Sequence, residues 1–272
     1  MPRKWCCWKI QLRALMLFIS RWFYFSCLRK LLPVLSLVYP TYLWAGSNDL
    51  NFVTLQHAPY GFVSKAGEKR GYLYEISNAL MKEGGFMGTN DIVPTLRVFN
   101  ELEKGRAHCA ILARVPLPEA RYDKLAPIGK SIAISAIPQR SIILEKYDDL
   151  AGLKIAIPRG VFVGEPFDSD DSLLKVPTKN YDLSSAMFKN DRVDVVVGAY
   201  DSVLFNMRAL GIKESDVGKA YVFAAVPVWV MCQPGKINAE QKRRLIEATD
   251  KLRENGTIKD IIDKYLKRAS TS

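Results

Sequence analysis

The stretch DLAGLKIAIPRGVF, residues 149–162, carries the reading of the fold. Leu153 to Ile157 is a short apolar run with Ala151-Gly152 on one side and Pro158-Arg159-Gly160 on the other. Such a run, bounded by turn residues, reads as a buried strand. It ends on a turn rather than on a helix cap, and a glycine at the tip permits backbone angles closed to other residues.

Further strand-like runs occur at NFVTL (51–55), AHCAIL (107–112), VDVVV (193–197) and VPVWVM (226–231), with helical patterns between them. YEISNALMKEGG places Ile76, Ala79 and Leu80 on one face and stops at Gly84, and LRVFNELEKG does the same with Leu96, Phe99 and Leu102 before Gly105. Alternating strands and helices argue for an α/β fold with open, largely parallel sheets covered by helices. At the carboxyl end Asn238 caps a helix with Gln241 three residues on, and Asn255-Gly256 stops it. Thr257 with Asp260 is set as a capping box for a last helix with an apolar stripe of Ile258, Ile261, Ile262, Tyr265 and Leu266.

The net charge of +11 belongs mostly to one end of the 272-residue chain. Residues 1–47 hold seven basic residues and no Asp or Glu, leaving 32 basic against 28 acidic side chains beyond them. That is an ordinary surface, so nucleic acid is not expected as a partner. The order Arg29-Lys30, an apolar stretch from Leu31 to Trp44, then Ala45, Gly46 and Ser47 is the layout of a secretory signal cut before Asn48. A retained membrane anchor is the alternative. Residues 1–47 are therefore expected to be a signal peptide or anchoring leader, with the remainder exported across a membrane.

Three of the five cysteines lie in that leader, leaving Cys109 and Cys232 in strand-like runs. We read them as two buried free thiols; a disulfide, which an exported location permits, is the alternative. No metal, redox, nucleophile or phosphate motif is present, so no catalytic residue, metal or cofactor is expected. His57 and His108 have no metal-ligand spacing, and FDSDDS (167–172) lacks the glycine and distal glutamate of a calcium loop.

What remains is the set of loops following the strands, where α/β sheets place ligands. HAPYGF is expected to expose Tyr60 and Phe62 as flat walls. ARVPLPEAR brings Arg114 and Arg121 close in sequence, and a guanidinium fork matches a carboxylate. PRGVF and GAYDS complete the set.

The succession APYGF, GYLYEISNAL, LEKGRAHCAILARVPLPEAR, DLAGLKIAIPRG, KNDRVDVVVGAYDS and the carboxyl-terminal VWVMCQPGKINAEQKRRLIEATDKLRENGTIKDIIDKYL resembles the family 3 extracellular solute-binding proteins, the periplasmic amino-acid-binding components of ABC transporters. The resemblance runs over about residues 50 to 267. It implies a two-lobed periplasmic binding protein type II fold, two open sheets joined by two crossing strands and closing like a hinged clamp. Lobe 1 would comprise residues 48–138 and 226–272, and lobe 2 residues 139–225. By the same resemblance Tyr60 stacks on the ligand, Arg121 grips its carboxylate, and Gly160, Val161 and Phe162 supply backbone donors.

Departures from the family pattern bear on the ligand. Pro116 stands where a hydroxyl residue is usual, Val161 and Phe162 stand where small hydroxyl residues are common, and Ala199 stands where an acidic residue holds the α-ammonium. Asp201 is a substitute for that acid or, in the preferred reading, the N-cap of SVLFNMRALG. The expected function is capture of a small carboxylate-bearing ligand, an amino acid or related acid, by a monomer that delivers it to a membrane permease. The alternatives are a sensory module of a receptor and a cyclohexadienyl-dehydratase-like enzyme using Glu75, Asp201 or Glu165 as its acid.

Overall fold

The computed structural model describes residues 48–113 and 121–266. The expected leader at 1–47, the cut before Asn48, and Arg114 and Pro116 lie outside the described residues. In chain order the strands are β1 (Phe52–Leu55), β2 (Phe62–Val63), β3 (Lys69–Arg70), β4 (Asn90–Val93), β5 (Cys109–Ala113), β6 (Asp123–Pro138), β7 (Lys154–Pro158), β8 (Leu174–Thr178), β9 (Val195–Ala199) and β10 (Tyr221–Cys232). The helices are α1 (Tyr72–Glu83), α2 (Thr95–Glu103), α3 (Tyr181–Lys189), α4 (Tyr200–Ala209), α5 (Ala239–Glu254) and α6 (Thr257–Leu266).

Eight strands form one ladder in the order β4-β1-β5-β10-β6-β9-β7-β8. The outer triplets are parallel: β4, β1 and β5 at one end, β9, β7 and β8 at the other. The long strands β6 and β10, antiparallel to each other, join the triplets, because β10 pairs with β5 and β6 pairs with β9. Two open wings connected by two crossing strands is the arrangement expected, as a mixed α/β fold with helices over the sheet.

Side-chain alternation explains why the first wing is covered on both faces. Val53, Ala110, Leu112 and Met231 face Val98 and Leu102 of α2. Phe52, Cys109, Ile111, Val230 and Cys232 point the other way, into the core shared with α1 and α5. Leu96 departs from the expected stripe of α2: it is 67% exposed, while Val98 and Leu102 are sealed. Phe99 and Leu102 join the apolar cluster as expected, together with Val98, and only Leu96 at the helix start stays out of it.

Cys109 and Cys232 form a disulfide, which corrects the free-thiol reading. They are registered partners on antiparallel β5 and β10, with Cα atoms 4.0 Å apart. Pairing across a strand ladder depends on register between residues 123 positions apart, which neither local run displays.

The carboxyl-terminal helices follow local chemistry. Asn238 Oδ1 accepts from the Gln241 N–H at 2.8 Å and Gln241 Oε1 accepts from the Asn238 N–H at 2.9 Å. At the next helix Thr257 is already inside α6, and its N–H donates to Asn255 Oδ1 at 3.0 Å. Asn255 does there what was expected of Thr257.

Candidate functional site

A cavity of about 530 Å³ opens where the carboxyl ends of β1 and β4 in the first wing meet those of β7 and β8 in the second. From the first wing its wall includes His57, Phe62, Thr95 and Leu96. From the second it includes Arg159, Lys179, Asn180, Tyr181 and Asp182. The volume lies in the range of small-molecule sites.

The loop after β1 is pinned by its own carbonyls: the N–H groups of Tyr60 and Gly61 both donate to His57 O, at 2.7 and 2.9 Å. This holds the His57 ring 2.8 Å from Thr95 Oγ1 at the start of α2. The ring also meets Tyr181 edge to face at 5.3 Å. Burial lowers the His57 pKa to about 4, so the imidazole is neutral near pH 7.

Tyr181 is the first residue of α3, whose N-cap Asn180 accepts from the Leu183 N–H at 3.0 Å. The Tyr181 hydroxyl accepts from the Ala199 N–H at 3.0 Å, and burial raises its pKa to about 12. Its ring fits because residue 198 is glycine: a Cβ there would lie 2.6 Å from the Tyr181 ring and hydroxyl. Thus Ala199, placed where the family pattern has an acid, has its N–H taken by a tyrosine.

The expected site residues divide. Phe62 lines the cavity and packs on Phe205 of α4, with ring centroids 5.6 Å apart. Gly160 adopts φ 81° and its tip faces Leu96, whose side chain would lie 3.7 Å from a Cβ at that position. Other expected residues are elsewhere. Tyr60, expected to be exposed, is only 3% accessible and packs edge to face on Tyr72 at 5.1 Å, because the tight turn around His57 rotates it inward. Val161 donates its N–H to Pro158 O at 3.2 Å, inside the turn rather than toward a ligand, and Phe162 is 55% exposed outside the cavity wall. Arg121 forms an exposed ion pair with Glu103 at 2.7 Å. Glu103 ends the nine-residue α2, whose start is at the cavity, so the pair lies about 12 Å along the helix from it.

Asp201 is not an N-cap: Ala199 occupies that position and Asp201 lies in the first turn of α4. Its carboxylate is held 3.0 Å from Lys130 Nζ of β6 and accepts from the Tyr72 hydroxyl at 3.4 Å. Burial first, then Tyr60 and this carboxylate, push the Tyr72 phenol well above its ordinary range. Glu75 accepts twice from Lys264, at 2.8 Å each, and also from the Tyr265 hydroxyl. Glu165 is exposed and bonded to Ser169. None of these three acids is on the cavity wall.

Sequence reasoning passed over His57, Arg159 and Lys179. Arg159 stands in the PRG turn after β7, next to the glycine expected to form its tip. Lys179 follows LKVPT, a strand whose Pro177 argues against one from sequence, since a proline gives no ladder hydrogen bond.

The fold is shared with solved periplasmic binding proteins. A histidine kinase sensor domain with similarity to periplasmic binding proteins matches with a TM-score of 0.67 and 19% identity, covering 80% of this chain and 95% of that one. An ancestral arginine-binding protein bound to arginine matches with a TM-score of 0.66 and 16% identity, covering 80% and 98%. An ancestral amino-acid-binding protein, a precursor of cyclohexadienyl dehydratase, matches with a TM-score of 0.63 and 16% identity, covering 80% and 95%. No protein-family model matches the chain, and no curated protein matches it. The chain thus has the type II periplasmic binding protein fold seen in amino-acid-binding proteins of ABC transporters. Among the described residues no helix is long and apolar enough to cross a membrane.

Proposed function

We propose that this chain is an extracytoplasmic solute-binding protein, exported to the periplasm, that captures a small carboxylate-bearing ligand and presents it to an ABC-type permease. The observation that carries the reading is the cavity itself, which draws its wall from both wings across the crossing strands β6 and β10. In this reading residues 48–138 with 226–272 are lobe 1 and residues 139–225 are lobe 2. Ligand contacts on both walls favour a closed state over an open one, and that population shift is what a permease reads. Binding rather than catalysis fits the acids: Asp201 and Glu75 are held by lysines, and neither they nor Glu165 face the cavity.

The test is thermal stabilisation of the purified, monomeric chain across amino acids and organic acids. At about 100 times Kd a bound solute adds roughly 2.7 kcal/mol. If no small solute moves the transition while a membrane protein does, the transport reading fails.

A sensory role is a second reading, supported by the likeness to a sensor domain. Amino-terminal sequencing of the exported protein separates the two: a start at Asn48 supports the free binding protein, and an intact leader supports an anchored sensor.

A further inference from the structure

The two cations of the cavity are neighbours by construction. β7 and β8 are parallel with Pro158 registered on Thr178, and the Arg159 N–H donates to Thr178 O at 3.0 Å. Arg159 and Lys179 are each the next residue along, so they leave adjacent strand ends, at a spacing of about 4.8 Å between strands. Both side chains stand on the cavity wall. Among the described residues neither forms an ion pair, whereas Lys69, Lys130, Lys242 and Lys264 each do.

The opposing charge is sparse. His57 is uncharged near pH 7, and among the described residues the wall has a single carboxylate, Asp182. Asp182 lies in the first turn of α3, where helix N–H groups offset its charge, and its Oδ2 accepts from Asn180 Nδ2 at 3.4 Å. Asp201, the candidate acid for an α-ammonium in place of Ala199, is taken by Lys130 and Tyr72. Two like charges side by side with a surplus over their counter-charge favour a ligand that brings more than one negative charge. An ammonium group on the same ligand would lose its water and add a further positive charge beside Arg159 and Lys179, with Asp182 as its one counter-charge among the described residues of the wall.

Resting on the solute-binding reading above, we propose that the ligand is a small dicarboxylate without an α-amino group, its two carboxylates shared between Arg159 and Lys179. Phe62 and Leu96 on the facing wall cover its carbon chain.

The experiment is titration calorimetry on the purified full chain with four- to six-carbon dicarboxylates, the matched amino acids aspartate and glutamate, and neutral and basic amino acids. The expected result is that dicarboxylates bind more tightly than their amino counterparts. Arg159→Gln and Lys179→Gln are each expected to weaken that binding roughly 10- to 100-fold, the effect of losing a charged hydrogen bond. Asp182→Asn removes the counter-charge on the wall and should raise dicarboxylate affinity. Circular dichroism and an unchanged melting temperature without ligand verify that these exposed positions leave the fold intact. Tighter binding of an amino acid than of its deaminated counterpart, or loss of binding in Asp182→Asn, overturns the dicarboxylate assignment and leaves the solute-binding reading standing. No binding by any solute overturns both.

Discussion

Lys130 Nζ lies 3.0 Å from Asp201 Oδ2, and the pair ties the crossing strand β6 to the first turn of α4. The Tyr72 hydroxyl of α1 donates to the same carboxylate, so the first wing, the crossing strand and the second wing share one polar junction. With side chains 23% and 13% exposed, the pair sits between the surface and buried limits.

Asp201→Asn and Lys130→Met are each expected to cost roughly 2 kcal/mol, between the small value of a surface pair and the larger cost of a stranded buried charge. The double variant is expected to recover part of that loss, because no charge is left alone. Urea denaturation of the four members of the cycle measures this, and strictly additive losses would show that the contact contributes nothing.

The Cys109–Cys232 bridge closes a long loop, with 123 positions between its ends. Chain-entropy reasoning gives a contribution of roughly 2–5 kcal/mol from constraining the unfolded chain. The Cys109→Ala, Cys232→Ala variant, in which neither sulfur remains, should therefore melt at lower temperature. A melting temperature unaffected by both the double substitution and reducing agent would contradict the bridge.

His57 gives a pH dependence of definite sign. Its folded pKa is lowered to about 4 by burial, against about 6.5 in the unfolded chain, so between those values the unfolded state binds the extra proton. Its contribution to stability is complete above about pH 6.5 and is lost as pH falls toward 4, by up to roughly 3 kcal/mol. The difference in unfolding free energy between wild type and His57→Gln should change across that window. A constant difference from pH 7 to 4 would show that His57 does not titrate on unfolding.

Gly198→Ala is expected to disturb the cavity through Tyr181. The new Cβ would meet the Tyr181 ring and hydroxyl at 2.6 Å, so the ring must move and its bond from the Ala199 N–H must lengthen. Overpacking of this kind costs roughly 1–3 kcal/mol. Thermal denaturation and a crystal structure of the variant check it; full stability with Tyr181 unmoved would contradict the packing argument.

Much of the architecture was legible because it is local. The runs at 51–55, 107–112, 153–157 and 193–197 are all strands, and Gly84, Gly105 and Asn238 punctuate helices near the expected positions. β6 escaped notice because its pattern mixes Lys124, Pro127, Gly129 and Lys130 into a strand that serves both wings. The cavity was half visible: Phe62 and the PRG turn were found, whereas Tyr60 and Arg121 were placed by analogy and the chain folds them elsewhere.

Periodicity and turn chemistry in the sequence alone determined the alternation of strands and helices, the carboxyl-terminal caps and the concentration of basic charge in residues 1–47. These depend on neighbours a few residues apart, so a linear reading captures them. Tertiary structure alone decided that Cys109 meets Cys232, that Tyr60 turns inward, that Asp201 is taken by Lys130, and that Arg159 stands beside Lys179. Each of those outcomes follows from strand register or from packing between distant segments, which a one-residue shift would undo.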